Sequence, residues 1–418
     1  TIMNSERKIS VAVIGAGIVG ICCACYLQRS GFRVTLIDRD EPALQTSFGN
    51  AGGLSPGSVA PIGMPGMWKQ IPGWLLDDTG PLYIKGSYLV KALPWLTRFL
   101  LQSRSARVAD ISKALASLNG PCFEALQPLV EDAGISHMIK RSGQLFVYRS
   151  RKHMQKDALT HQLRGDSGAR LEYLDAAEIR DLEPALAPIF ESGYLMPDNG
   201  HCDDPYGMAQ ALVRSFLERG GRFQKTEVAD FGFDEDGVTC VKTSTGDLQT
   251  DRAIICAGIW SKSICAKLGW NIPLESHRGY HVTLEDPGAS LKHMCFPVED
   301  KFAITPMSMG IRIAGTVELA GVDAPPNYAR AQALLVAARK ILPGIGTEKV
   351  TQWMGHRPCF PDSLPVIDRC SNHKGIFFAF GHGHQGLVGA SQTGKVVDEM
   401  IRGVSPSMDL RPFSIGRF

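Results

Sequence analysis

The segment Gly15-Ala16-Gly17-Ile18-Val19-Gly20 constrains this chain more than any other. It follows directly on Ile-Ser-Val-Ala-Val-Ile at 9–14, an apolar, β-branched run of the kind that forms a buried parallel strand. Helical spacing begins at Ile18 and continues over 18–30, with Gly31 as its stop, and a second short strand follows at 34–37. Strand, glycine turn, helix and strand close a βαβ unit of about 30 residues. In that setting each glycine has a task. Gly15 permits the tight turn, Gly17 lets a pyrophosphate approach the backbone at a helix N-terminus, and Gly20 lets the helix pack on the sheet. Asp38 ends the second strand, 18 residues beyond Gly20, where a carboxylate accepts both hydroxyls of an adenosine ribose. The unit therefore predicts a dinucleotide with a free 2′-hydroxyl. It does not separate a nicotinamide from a flavin.

At 418 residues the chain has room for two closely packed domains and a large buried core. Lys and Arg number 44 against 42 Asp and Glu, a formal charge of +2 that gives nucleic acid no electrostatic hold. The 11 cysteines are scattered without a CxxC pair, and Cys22, Cys23 and Cys25 sit in an apolar helical run. That pattern reads as reduced core thiols in a cytoplasmic protein, not as a disulfide scaffold or a metal site. Thr1-Ile2-Met3 reads as residual tag ahead of a start methionine, and the first apolar run opens the nucleotide motif rather than a signal peptide. No run of 18 uninterrupted apolar residues occurs, which argues against a spanning helix and leaves surface attachment open.

Farther along, 46–66 is rich in Gly, Ser and Pro and reads as a long functional loop. Helices are expected over 107–133, 207–219, 328–341 and 386–402. Strands are expected over 143–148, 222–228, 238–243, 252–256, 278–284, 302–305, 311–317 and 376–380. With βα punctuation at both ends of the chain, the nucleotide domain assembles from separated pieces: 8–58, 191–272 and 351–418. The remainder, 59–190 and 273–350, then forms a second domain around its own sheet.

These features occur together with Thr46-Ser47-Phe48-Gly49-Asn50-Ala51-Gly52-Gly53-Leu54-Ser55-Pro56-Gly57, Cys256-Ala257-Gly258-Ile259-Trp260-Ser261, Arg278-Gly279-Tyr280, Gly355-His356-Arg357-Pro358 with Pro361-Asp362, and Gly381-His382-Gly383. In that order along nearly the whole chain, they resemble the D-amino acid oxidase/glycine oxidase superfamily of FAD enzymes, most closely the bacterial D-amino acid dehydrogenase small-subunit type. The resemblance implies an α/β fold: a Rossmann-like FAD-binding domain of the glutathione-reductase type, with a mainly antiparallel-sheet substrate domain. It implies FAD held by Gly15, Ala16, Gly17, Ile18, Val19, Gly20, Asp38 and Arg39. It further implies that Ser47 and Asn50, Ala51, Gly52, Gly53 and Leu54 line the flavin ring, and that the backbone of Val228 meets adenine. Ala257, Gly258 and Trp260 stand at the second dinucleotide contact. The turn Gly381, Gly383, His384, Gln385, Gly386 and Leu387 leads into a helix whose N-terminus, aimed at the flavin pyrimidine edge, would stabilise the negative charge of reduction.

For such an enzyme the resemblance implies hydride transfer from the substrate Cα to flavin N5, giving an imine that water hydrolyses to a 2-oxo acid. No strong protein base is obligatory, so the protein's task is to orient the carbon and neutralise the carboxylate. Arg357, in Gly-x-Arg-Pro, resembles the family's substrate arginine and suits a carboxylate bidentately. Tyr280 and His281 stand on the strand resembling the active-site wall, and because neighbours on a strand face opposite ways one of them, Tyr280 by preference, reaches the substrate. His382 is the further catalytic candidate. In the related monomeric sarcosine oxidases a cysteine carries the flavin covalently; the matching position here is Gly355, which predicts noncovalent FAD. Small D-amino acids are the favoured substrates, with proline-type, hydroxyproline or sarcosine-like secondary amines as the alternative, and a noncatalytic flavin-binding subunit as the reading from another class. Residues 62–104 interleave Met64, Met67, Trp68, Ile71, Trp74, Leu75, Leu76, Leu93, Trp95 and Phe99 with Lys and Arg. This suits either a membrane-surface patch serving a quinone acceptor or a helical lid on the substrate domain.

Overall fold

The computed structural model describes residues 8–418, apart from the side chains of Gln70 and Trp74; the tag-like Thr1-Ile2-Met3 lies outside the described residues. Two large sheets organise the chain. The first has six strands in the order Arg222–Lys225, Arg33–Asp38, Ser10–Ile14, Arg252–Ile255, Ile376–Phe380 and Val366–Arg369. The first five run parallel and the last is antiparallel. Ser10–Ile14 is buried along its whole length because neighbours flank both edges, helices cover the face of Val11 and Val13, and the three-stranded sheet with Phe231, Val238 and Val241 covers that of Ala12 and Ile14, which is why it reads as an unbroken apolar run.

Helix Ile18–Arg29 turns Ile21, Cys22, Cys23, Ala24 and Leu27 into the core. It packs on helix Gly386–Arg402, where a Cβ on Gly394 would lie 2.7 Å from the Cys22 carbonyl carbon. All 11 cysteines are unpaired and buried.

The second sheet has nine strands, with Lys349–Cys359 at one edge followed by Glu275–Glu285, Gly310–Leu319 and Phe302–Met307. Helix Ala329–Ile341 covers one face, burying Ala331, Leu334, Ala338 and Ile341 against Tyr280, Val282 and Leu284. The other face of the same strands turns toward the segment 47–54.

Three expectations change in detail. The helix expected over 107–133 is two helices, Ser105–Asn119 and Cys122–Asp132, parted at Gly120-Pro121, since proline removes an amide donor and restricts the residue before it. The strand expected over 222–228 divides between sheets: Arg222–Lys225 joins the parallel one, while Val228–Asp234 begins a separate three-stranded sheet. The 11-residue strand Lys349–Cys359 is absent from the sequence reading, because Gly355 and Pro358 read as breakers; an edge strand tolerates both. It belongs to the second sheet, as does Ser192–Met196, so the sheets cut the chain differently from the expected limits at 191 and 351.

Candidate active site

A cavity of about 1450 Å³ runs between the two sheets. At one end it is walled by Gly15, Ala16, Gly17, Ile18, Val19, Asp38 and Arg39, and at the other by Arg357, Thr316 and the turn beginning at Gly381. Its volume exceeds that of an ordinary single-ligand pocket and suits an occupant with two parts.

The nucleotide end can only be built with glycine. Gly15 has φ +107, and a Cβ there would stand 2.4 Å from the Cys256 carbonyl oxygen; one on Gly20 would stand 1.9 Å from the Gly15 carbonyl oxygen. A Cβ on Gly17 would meet only Ser47 Oγ, at 3.4 Å, so that residue borders open cavity. The Asp38 carboxylate accepts the amide of Ala16 at 2.7 Å and that of Asp40 at 3.0 Å, which fixes its position beneath the turn. Burial raises its pKa, and these amides partly offset the rise. The guanidinium of Arg39 lies over the Trp260 ring at 4.4 Å, and Val228, Ala257, Gly258 and Trp260 continue the wall. This donor set, an open glycine turn at a helix N-terminus with a carboxylate beside it, fits the adenosine and pyrophosphate of FAD.

The segment 47–54 is pinned from below. Ser47 Oγ accepts the amide of Ile18 at 2.9 Å, and Asn50 Oδ1 that of Gly52 at 2.7 Å. Three side chains of the second sheet engage successive carbonyls: His281 Nδ1 lies 3.0 Å from Gly49 O, Arg312 donates to Asn50 O at 2.7 Å, and Thr305 to Ala51 O at 2.8 Å. With its carbonyls committed, the turn becomes a rigid wall of small residues in which Asn50, Ala51 and Gly53 border the cavity. Leu54 is fully buried behind it.

Arg357 lies on the edge strand opposite His277, and Gly355 opposite Gly279. Its guanidinium rests over Gly279, where a Cβ would come within 2.1 Å of Cζ. Nη1 donates to Thr316 O at 2.8 Å, the one hydrogen bond of this guanidinium among the described residues. Burial lowers its pKa, a cost that an anionic partner would offset. Trp353, two residues before Gly355, fills the space that this glycine leaves, where a Cβ would stand 2.0 Å from the indole, and stacks on His281 at 5.1 Å.

Alternation separates the neighbouring candidates. Tyr280 takes the face packed against helix Ala329–Ile341; it is 1% exposed, yet touches the cavity wall. Its hydroxyl donates to Glu318 at 2.6 Å and accepts the amide of Asn327 at 2.9 Å, while burial, then Glu318, pushes its pKa up to about 12. His281 shares the face of Arg357 but lies behind the Gly49 carbonyl, its pKa lowered by burial to about 3. His382 borders the cavity while its Nε2 pairs with Thr393 Oγ1 at 2.8 Å, and burial again lowers its pKa to about 3. His384 is exposed into the cavity, and Gln385 is tied to Asn119 at 2.6 Å. Gly383, Gly386 and Leu387 complete the rim, with the N-terminus of helix Gly386–Arg402 at its edge.

The sequence reading missed Thr316 and Trp353, and it noted His277 only as part of the polar run 277–281. Only the long-range pairing of three strands brings them to Arg357, and no local motif encodes that. His277, Cys359 and His384 form the one grouping of potential metal ligands among the described residues, with ligand atoms within 4.8 Å of one another. The charge of Arg357 acts on both histidines there, and the Cys359 thiol is pushed well above its ordinary value by burial, so a cation would meet a repelling neighbour and a thiol reluctant to ionise.

Comparison with known proteins agrees over the full length. A family model described as FAD dependent oxidoreductase matches residues 10–400. The chain is 39% identical over 415 residues to a D-amino-acid oxidase of Bradyrhizobium diazoefficiens, covering 98% of each chain. It is 30% identical over 416 residues to a D-amino acid dehydrogenase of the same organism, again covering 98% of each. Among solved structures, L-proline dehydrogenase from P. horikoshii superposes with a TM-score of 0.75 at 20% identity, covering 98% of both chains, a likeness of fold alone.

Proposed function

The chain belongs to the family of FAD dependent oxidoreductases, and on that premise we propose that it oxidises a small amino acid, D-amino acids foremost, to the corresponding 2-oxo acid. The observation that carries this reading is Arg357: a guanidinium at the cavity wall, steadied by Thr316 O and otherwise unbonded, matched in shape and charge to a carboxylate. Bound FAD supplies the hydride acceptor. The residues of the chain do the positioning. Arg357 holds the carboxylate, Gly279 keeps the space in which its guanidinium lies flat, and the pinned turn 49–51 fixes the opposite wall. Around them His277, His281 and His382 stay neutral through burial, so they set polarity without adding charge.

Under this reading the six-stranded sheet is the core of the FAD-binding domain and the nine-stranded sheet that of the substrate domain, with Lys349–Cys359 carrying Arg357 from the second toward the first. FAD is held noncovalently, since Gly355 offers no thiol and its space is taken by Trp353. Electrons pass to a quinone at a membrane surface. Support for that comes from Trp68, Leu76 and Val90, exposed at 61%, 85% and 77% beside Lys69 and Lys91. No helix among the described residues is long and apolar enough to cross a membrane, so contact would be superficial. Met64, Met67 and Lys69 also border the cavity, which suits the same segment acting as its lid. Incubation with single D-amino acids and an artificial quinone, with assay of 2-oxo acid and ammonia, tests the reading; a yellow protein that produces neither would be a flavin-binding subunit instead.

A further inference from the structure

Strand Gly310–Leu319 carries an irregularity beside Arg357. Its pairing with Glu275–Glu285 runs from Arg278↔Glu318 to Tyr280↔Gly315, so two residues, Thr316 and Val317, stand opposite Gly279 alone. Thr316 sits in this bulge with φ +59. That conformation is rare for any residue but glycine, asparagine or aspartate, and rarer for a β-branched one. Its hydroxyl is buried at the cavity wall and has no hydrogen-bond partner, while its carbonyl accepts Arg357 Nη1. Two unfavourable features thus coincide in one residue that touches Arg357.

The neighbourhood repeats the pattern. His277, paired in register with Arg357 and 1% exposed, has neither ring nitrogen hydrogen-bonded. Its ring lies 5.7 Å from that of His384, which opens into the cavity. Buried polar groups in folded proteins are almost always satisfied, and an unpaired hydroxyl in the cavity wall, with an unpaired imidazole behind it, points to a ligand that completes the wall. The two carboxylates at this end of the strands are already engaged, Glu318 by Tyr280 and Arg278, Glu275 by Tyr88. A cationic substrate side chain would therefore find no counter-charge here. An anionic one would compete with the substrate's own carboxylate for Arg357.

We propose that Thr316 is a specificity-determining residue, selecting amino acids whose side chain or ring carries a neutral hydrogen-bonding group, a hydroxyl foremost. This rests on the amino acid-oxidising reading of the cavity. The bulge holds Thr316 in the cavity wall beside Arg357, and a substrate group drawn in against it supplies the partner that the hydroxyl lacks.

The test compares hydroxylated substrates with their deoxy counterparts on the holoenzyme: D-serine with D-alanine, and cis-4-hydroxy-D-proline with D-proline. The ratio of kcat/KM within each pair is measured for the native enzyme and for Thr316→Ser, Thr316→Val and Thr316→Gly. The native enzyme is expected to favour the hydroxylated member of at least one pair by tenfold or more, Thr316→Ser to keep that preference, and Thr316→Val and Thr316→Gly to cut it at least tenfold. Glycine relieves the positive φ, so Thr316→Gly is expected to melt no lower than the native protein, which separates lost selectivity from lost folding. Equal ratios in the native enzyme, or a preference that survives both Val and Gly, overturn the proposal while leaving amino acid oxidation standing. A flavin that no amino acid reduces overturns the underlying reading as well.

Discussion

Gly279 and Arg357 share one face of two paired strands so closely that a Cβ on the glycine would stand 2.1 Å from the guanidinium carbon. The glycine is therefore the seat of the arginine. Gly279→Ala is expected to fold, to displace the guanidinium and to raise KM for amino acids about tenfold or more, with a smaller change in kcat. Steady-state kinetics on one substrate decide the matter; an unchanged KM would detach Arg357 from substrate binding.

Arg357→Lys preserves charge but loses the planar fork. A loss of about 2–4 kcal/mol of transition-state binding is expected, roughly 30- to 1000-fold in kcat/KM, with FAD content unaltered. Comparable activity in the lysine variant would leave a diffuse positive field as the requirement instead of a bidentate clamp.

The nucleotide end makes its own prediction. Gly20→Ala puts a methyl 1.9 Å from the Gly15 carbonyl oxygen and is expected to abolish FAD retention. Asp38→Ala removes the proposed ribose acceptor and the acceptor of the Ala16 amide together, and about 10- to 100-fold weaker FAD binding should follow. Acid precipitation of the native protein should release all flavin to the supernatant; colour in the pellet would contradict noncovalent attachment.

Stability should depend on pH through the buried histidines. Burial lowers the pKa to about 3 in His277, His281 and His382 and to about 4 in His201, from the ordinary value of about 6.5. Folded values below the unfolded one mean that this contribution is complete above about pH 6.5 and is lost as pH falls toward those folded values. Each such histidine costs up to about 1.4 kcal/mol per pH unit across that window. Denaturant unfolding at pH 7.5 and 5.5 should show a clear loss at the lower pH; equal stability at both would mean that these rings take up protons in the folded state as readily as in the unfolded one.

The exposed apolar side chains give a further measurable consequence. Trp68→Ser combined with Leu76→Ser should weaken binding to vesicles containing anionic lipid about tenfold or more, without altering turnover with a soluble acceptor. Native protein that ignores such vesicles would leave the segment as a lid only.

Much of the nucleotide end was legible in the sequence, because its determinants are local: a strand, a glycine turn and Asp38 within some thirty residues. The strand carrying Arg357 was not, since Gly355 and Pro358 interrupt any β pattern and only the sheet edge makes them tolerable. Alternation on Glu275–Glu285 correctly separates Tyr280 from His281, yet it does not say which face meets the cavity turn; that follows from the covering helix Ala329–Ile341. Thr316 was invisible altogether, because its positive φ and its orphaned hydroxyl exist only after three strands have paired.

FAD in this chain is proposed to take electrons from an amino acid anchored at Arg357. Anaerobic addition of single D-amino acids to the yellow holoenzyme, followed at the visible absorbance of the oxidised flavin, tests it most directly. The account predicts bleaching by at least one small D-amino acid, much slower bleaching by its L-enantiomer, and a rate reduced by orders of magnitude in Arg357→Lys. A spectrum unmoved by any amino acid, or bleaching indifferent to Arg357, would contradict it.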